Sequence, residues 1–158
     1  MAETYQTVAA LETVGLFQGF ERSELERLVG RGHMIDFAQG ATLFREGEHG
    51  GGVYVVLAGS VRLTKTVPDR GEEAMAMAPA GDFFGEMALI DDLPRSATAV
   101  AAGDCRVFFL KKEDFLDLTY ADPTLGSKVL WALCRTFSRR LRETTNSMIA
   151  LFKVCRAM

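Results

Sequence analysis

Apolar positions near the start of the chain recur at helical spacing. Val8, Leu11, Val14 and Leu16 predict a short amphipathic helix, and residues 23–29 predict a second. Ser23, with Glu26 three residues later, has the spacing of a capping box. From Met34 to Lys111 the texture changes. Short apolar runs are cut by turn residues at 39–40, 48–52, 67–71 and 79–82. Strands at roughly 8–12-residue spacing predict an antiparallel barrel or sandwich. Gly50-Gly51-Gly52 reads as a flexible connection, since the lysine and Ser/Thr of a phosphate loop do not follow it. Lys112 to Tyr120 reads as a short helix. Asp122-Pro123 restarts the chain, with Pro123 suited to a helix start, and a last helix is predicted from about Thr124 to Val154.

That last helix carries a heptad. Leu130, Cys134, Phe137, Leu141, Thr144, Met148, Leu151 and Cys155 alternate in steps of four and three, the seam of a two-stranded coiled coil. At 1.5 Å per residue the stripe is about 37 Å long. Thr144 is its polar exception, with Thr145 on the flank. The same stripe also fits a helix lying on its own barrel. Trp131, Leu133, Phe152 and Val154 widen it, so the helix is expected to touch both a partner and its own barrel. A homodimer is predicted over a monomer.

Residues 81–99 concentrate the chemistry. Gly85 lacks a Cβ, so backbone can approach a bound group closely. The N–H groups from about Glu86 to Leu89 would be open donors at a helix start, which suits an anion. Arg95 brings a planar, permanently charged fork that matches phosphate oxygens. Glu86 would repel a phosphate, so it must face another part of the same ligand, and a sugar hydroxyl is its natural donor. One arginine with one glutamate fits a sugar phosphate of low charge. The alternative readings are an arginine closing a turn, a glutamate capping a helix and an ordinary strand serine at Ser96.

Phe84-Gly85-Glu86-Met87-Ala88-Leu89, followed by Pro94-Arg95-Ser96-Ala97, resembles the phosphate-binding cassette of the cyclic nucleotide-binding domain family. Residues 40–48 and 53–61 are similar to that family's glycine-marked strands, and residues 139–145 to the ligand-facing helix of its catabolite-activator branch. The resemblance covers roughly residues 11 to 153. It implies an α+β fold: an antiparallel β-roll or jelly-roll (a double-stranded β-helix) of eight strands, flanked by short N-terminal helices and a long C-terminal one. The expected organisation is one domain over residues 1–158, with N-terminal helices at 1–33, the β-roll at 34–111 containing the cassette 81–99, and C-terminal helices at 112–158.

The resemblance also implies roles. Glu86 would accept the ribose 2′-hydroxyl, Arg95 would pair with the cyclic phosphate and Ser96 would donate to it. Gly85, Met87 and Ala88 would contribute backbone contacts. Thr144 and Thr145 would reach a purine held between two subunits, although both hydroxyls could equally bond to their own helix. The ligand is expected to be cAMP, with cGMP the alternative, because Ser96 stands where cGMP-selective relatives often carry threonine. The expected function is a sensor that couples this ligand to movement of the long helix. The other readings are a Crp/Fnr-type transcription regulator whose DNA-binding part is separate or missing, and an interaction module that no longer binds nucleotide. The output would then lie with a separate effector protein.

Composition adds limits. Apolar residues are 48% and charged residues 25%, the balance of a chain that buries a core. The longest strongly apolar run, 53–58, is too short for a membrane span, and no basic region precedes an apolar stretch at the N-terminus, so a cytoplasmic protein is expected. Cys105, Cys134 and Cys155 read as buried thiols in a reducing compartment, with no disulfide framework expected, and the lack of N-terminal cysteines argues against an iron–sulfur variant. His33, His49 and Asp91-Asp92 lack metal-ligand spacing. No nucleophile–base–acid set is present, so no cofactor and no enzyme activity are expected. The net charge of −3 hides an asymmetry: from Thr124 onward the chain carries seven basic residues and one acid, Glu143. Most of those basic residues fall opposite the heptad stripe and read as a solvated face, with an acidic partner or nucleic acid as the alternative.

Overall fold

The computed structural model describes residues 2–156. Two helices open it, α1 (Ala2–Glu12) and α2 (Arg22–Val29), with a 3-10 turn, Gly15–Phe17, between them. The first helix ends earlier than the periodicity predicts. Val14 and Leu16 are buried beyond its end, because the 3-10 turn folds them back onto the same core. The capping box of α2 is also displaced. Glu21 caps it and Glu24 closes the box, donating nothing but accepting the Glu21 N–H at 2.7 Å, so Ser23 is not the cap.

Eight strands follow: β1 (His33–Phe37), β2 (Thr42–Phe44), β3 (Gly52–Ala58), β4 (Ser60–Val67), β5 (Gly71–Pro79), β6 (Phe83–Phe84), β7 (Thr98–Ala101) and β8 (Cys105–Lys111). They form two antiparallel four-stranded sheets, β1-β8-β3-β6 and β2-β7-β4-β5. This is the antiparallel β-roll expected from the sequence. Three helices complete the described residues, α3 (Met87–Ile90), α4 (Lys112–Ala121) and α5 (Pro123–Arg156).

Two clusters of buried side chains explain the patterning. Val53 and Val55 of β3 face the helices, packing with Leu11, Leu28, Leu125 and Leu133. Tyr54 and Val56 face the other sheet, against Phe44, Val61, Phe84 and Val107. β3 is therefore covered on both faces and reads as an unbroken apolar run. β5, at the edge of the other sheet, is exposed along most of its length. Gly52 is no flexible connection. It opens β3, and a Cβ there would meet the Phe109 ring at 2.3 Å. Asp122 starts α5: its Oδ1 accepts the N–H groups of Thr124 and Leu125, each at 3.1 Å, with Pro123 at the first helical position.

Candidate functional site

The loop after β6 turns sharply at Gly85, whose φ is 77°. A Cβ at that position would stand 2.7 Å from Arg95 Nη1 and 3.1 Å from the Gly52 carbonyl oxygen. Glycine is required here by both backbone and space. The turn runs into α3, where the expected open donors are partly used. The Ala88 N–H donates to the Gly85 carbonyl at 3.3 Å, and the Leu89 N–H to that of Glu86 at 3.0 Å.

Arg95 is set by backbone on one side and aromatics on the other. Its N–H donates to Glu48 O and its carbonyl accepts from the Gly47 N–H, each at 2.9 Å. The Glu46-Gly47-Glu48 segment thus serves as a rail for the cassette. The guanidinium is buried. It donates through Nη1 to the carbonyls of Gly52 at 3.1 Å and Gly85 at 3.2 Å. Its carbon lies 4.2 Å from the centre of the Phe44 ring, and Phe44 packs on Tyr54 and Phe84, which stack at 5.4 Å. Burial pushes the guanidinium below its ordinary value, opposed by the field of Tyr54, Glu48 and Glu86. The same burial pushes the Tyr54 hydroxyl up. A buried, preset cation costs solvation, which an incoming anion would relieve.

Glu86 is almost fully buried, with 3% exposure, and its Oε1 is paired with Arg140 Nη1 of α5. Arg140 also donates to the Phe83 carbonyl at 2.9 Å and lies 3.9 Å from Asp82. Sequence reasoning counted Arg140 among the basic residues of the last helix and gave it no role at the site. The available signal was its spacing: Arg140 lies one turn before Thr144, so the two share a face.

Glu86, Arg95, Gly85, Met87, Ala88 and Ser96 line one cavity of about 190 Å3, together with Arg140. Ser96 is exposed at its mouth, 3.9 Å from the Met87 sulfur. Lys65 holds the Ser96 carbonyl at 3.0 Å, and Lys112 holds the Asp91 carbonyl at 2.9 Å, so the cassette is tied down on both sides. Thr144 and Thr145 lie outside the cavity. Each hydroxyl donates within α5, to Arg140 O and Leu141 O respectively, both at 2.9 Å.

The cyclic nucleotide-binding domain profile matches residues 34–122, and the chain belongs to that family. It is 30% identical to the CRP-like cAMP-activated global transcriptional regulator of Mycobacterium tuberculosis, over 89% of this chain and 61% of that one. Among solved structures, a cyclic nucleotide-binding domain from Methylobacillus flagellatus superposes with a TM-score of 0.82 at 28% identity, over 94% of this chain and 83% of the other. The regulatory domain of Toxoplasma gondii PKA, crystallised with cAMP, gives 0.76 at 29% identity, over 87% and 51%. The chain thus spans about three fifths of the mycobacterial regulator's length.

Proposed function

We propose that this chain is a cyclic nucleotide sensor, with cAMP preferred over cGMP. The observation that carries the reading is the shared cavity, where a buried guanidinium and a buried carboxylate face the same space from opposite ends of the cassette. Arg95 takes the cyclic phosphate in exchange for its two carbonyls, and Ser96 at the mouth donates to the same group. Glu86 accepts the ribose hydroxyl. A carboxylate has about four acceptor sites, so it can do this without releasing Arg140. The ribose is then tied through Glu86 to α5. The preference for cAMP rests on Ser96 and on the match at Thr144 and Thr145.

The cavity is smaller than the roughly 300–1,000 Å3 usual for small-molecule sites. Admitting a nucleotide requires its walls to part, and Arg140 is the wall carried by the helix. A ligand that binds the parted arrangement better shifts the helix by that difference in affinity. From Leu141 onward every described side chain of α5 is exposed, including Leu141, Met148, Leu151 and Phe152. A free amphipathic helix of this length is marginal in water. A second copy of the chain, packed in parallel along this stretch, covers it and brings a second Thr145 towards each site.

Titration calorimetry with cAMP and cGMP tests the reading. Heat and thermal stabilisation are expected with cAMP, and silence with both nucleotides overturns the proposal. Arg95→Ala is expected to cost the ~1.5–3 kcal/mol of a charge-assisted bond, about a ten- to hundredfold loss of affinity. Parental affinity in that variant would remove the phosphate assignment.

A further inference from the structure

Two chemical groups on α5 have no part in the sensor reading: the thiols of Cys134 and Cys155, which are exposed and not buried as the sequence suggests, because the helix carries them off the roll, whereas Cys105 is buried in it. They stand three heptads apart, so they share one phase of the helix. Phe137, placed on the seam by the sequence pattern, packs against the domain's own core, which turns that side of the helix inward next to the domain. Continued at heptad spacing from there, the outward stripe runs through Trp131, Cys134, Leu141, Met148, Phe152 and Cys155, with Ser138 and Thr145 between them, all exposed. A thiol sits near each end, and Thr145 lies midway.

We propose that Cys134 and Cys155 form disulfides between two copies of this chain, by exchange with an anionic low-molecular-weight disulfide. The inference rests on the parallel dimer proposed above. In a two-fold dimer, a residue on the axis faces its own counterpart. Helix axes about 8–10 Å apart, with Cα atoms about 2.3 Å off each axis, leave self-facing Cα atoms about 3.4–5.4 Å apart. That overlaps the roughly 4.4–6.8 Å a disulfide needs. The charge around Cys134 selects the oxidant. Arg135, Arg139 and Arg142 line the same shallow depression, against one acid, Glu143. Such a surface raises the local concentration of an anionic reagent.

The exchange balances. The Cys134 thiolate attacks the small disulfide, forms a mixed disulfide and releases one small thiolate. Cys134 of the second copy then displaces the remaining small thiolate and closes the interchain bond. Two protein thiols are oxidised, and one small disulfide is reduced to two small thiols, which take up the two protons. Cys155 reacts in the same way with its own counterpart. The product fixes the two helices on either side of Thr145.

The 158-residue chain, held reduced, is first sized by analytical ultracentrifugation. It is then titrated with oxidised glutathione and followed by non-reducing electrophoresis and intact mass. A covalent dimer is expected from the parent and from Cys105→Ser. Each single variant, Cys134→Ser and Cys155→Ser, should keep one crosslink, and the double variant should keep none. A reduced dimer that accumulates only glutathione adducts overturns this inference and leaves the sensor reading intact. A reduced monomer overturns the dimer and the crosslink together, whatever the nucleotide titration shows.

Discussion

The two halves of α5 share one amphipathic pattern and meet opposite fates. In the first half Leu125, Val129, Ala132 and Leu133 are buried against the roll and the N-terminal helices. In the second half Leu141 is 68% exposed and Phe152 is 67% exposed, and nothing of the domain covers them. Arg140 stands at the boundary, reaching back to Glu86 and Phe83. The contrast teaches that an apolar stripe specifies a face to be covered, while the covering surface is set by where the helix leaves its domain. Arg140, the last described residue of α5 whose side chain is not exposed, also lines the cavity, so under the sensor proposal it is the link through which a partner on the free half would act on the site.

The contrast is open to direct attack. Leu133→Ala should destabilise the fold by about 2–5 kcal/mol in chemical denaturation, the cost of a cavity in a packed core. Leu141→Arg provides the opposite case. The melting of the domain itself should stay within about 0.5 kcal/mol of the parent, as at a surface site, while sedimentation should report loss of the proposed dimer. If Leu141→Arg unfolded the domain outright, the free half would not be free.

A double-mutant cycle on Glu86→Gln and Arg140→Met sharpens the boundary. A coupling energy of about 0.5–3 kcal/mol is expected for residues in direct contact. Additive effects would show that the roll and α5 do not communicate through this pair.

The smallest effect concerns the packed half, where Lys128 of α5 holds Glu24 of α2 at 2.7 Å. Burial alone would raise the Glu24 carboxyl. The Lys128 hydrogen bond, the Glu21 N–H and the Lys128 charge together outweigh it, and the group lies below its ordinary 4.5. A lowered folded value means that the unfolded chain binds the proton first. The stabilisation is therefore complete above about pH 4.5 and fades as pH falls through the folded value. Melting curves of the parent and Glu24→Gln should converge as pH falls below about 4.5 and through the lowered folded value, with the parent ahead at neutral pH. Parallel curves over that range would refute the pairing.

Much of the fold was legible because local rules carried it. Strand spacing and turn residues marked the roll from 34 to 111, and Asp122-Pro123 marked the start of α5. The misses share a cause. Val14 and Leu16 read as helix because a 3-10 turn returns them to the same core, which periodicity cannot distinguish from a continuing helix. Ser23 offered a cap in sequence, yet Glu21 is the residue whose backbone turns out of the helix. At the site, the cassette showed Gly85, Glu86, Arg95 and Ser96 because they are close in sequence. Phe44, Tyr54 and Arg140 come from elements far away along the chain.

The sequence by itself determined the cassette, the antiparallel roll and the existence of one long amphipathic helix, since each is written in short-range spacing and backbone requirements. Only the tertiary structure decided which charged groups meet, that Arg140 and not a threonine reaches the cavity, and that Phe137 turns inward and so rotates the open stripe. Those outcomes depend on the packing of distant elements, where a single turn of helix changes which face is buried.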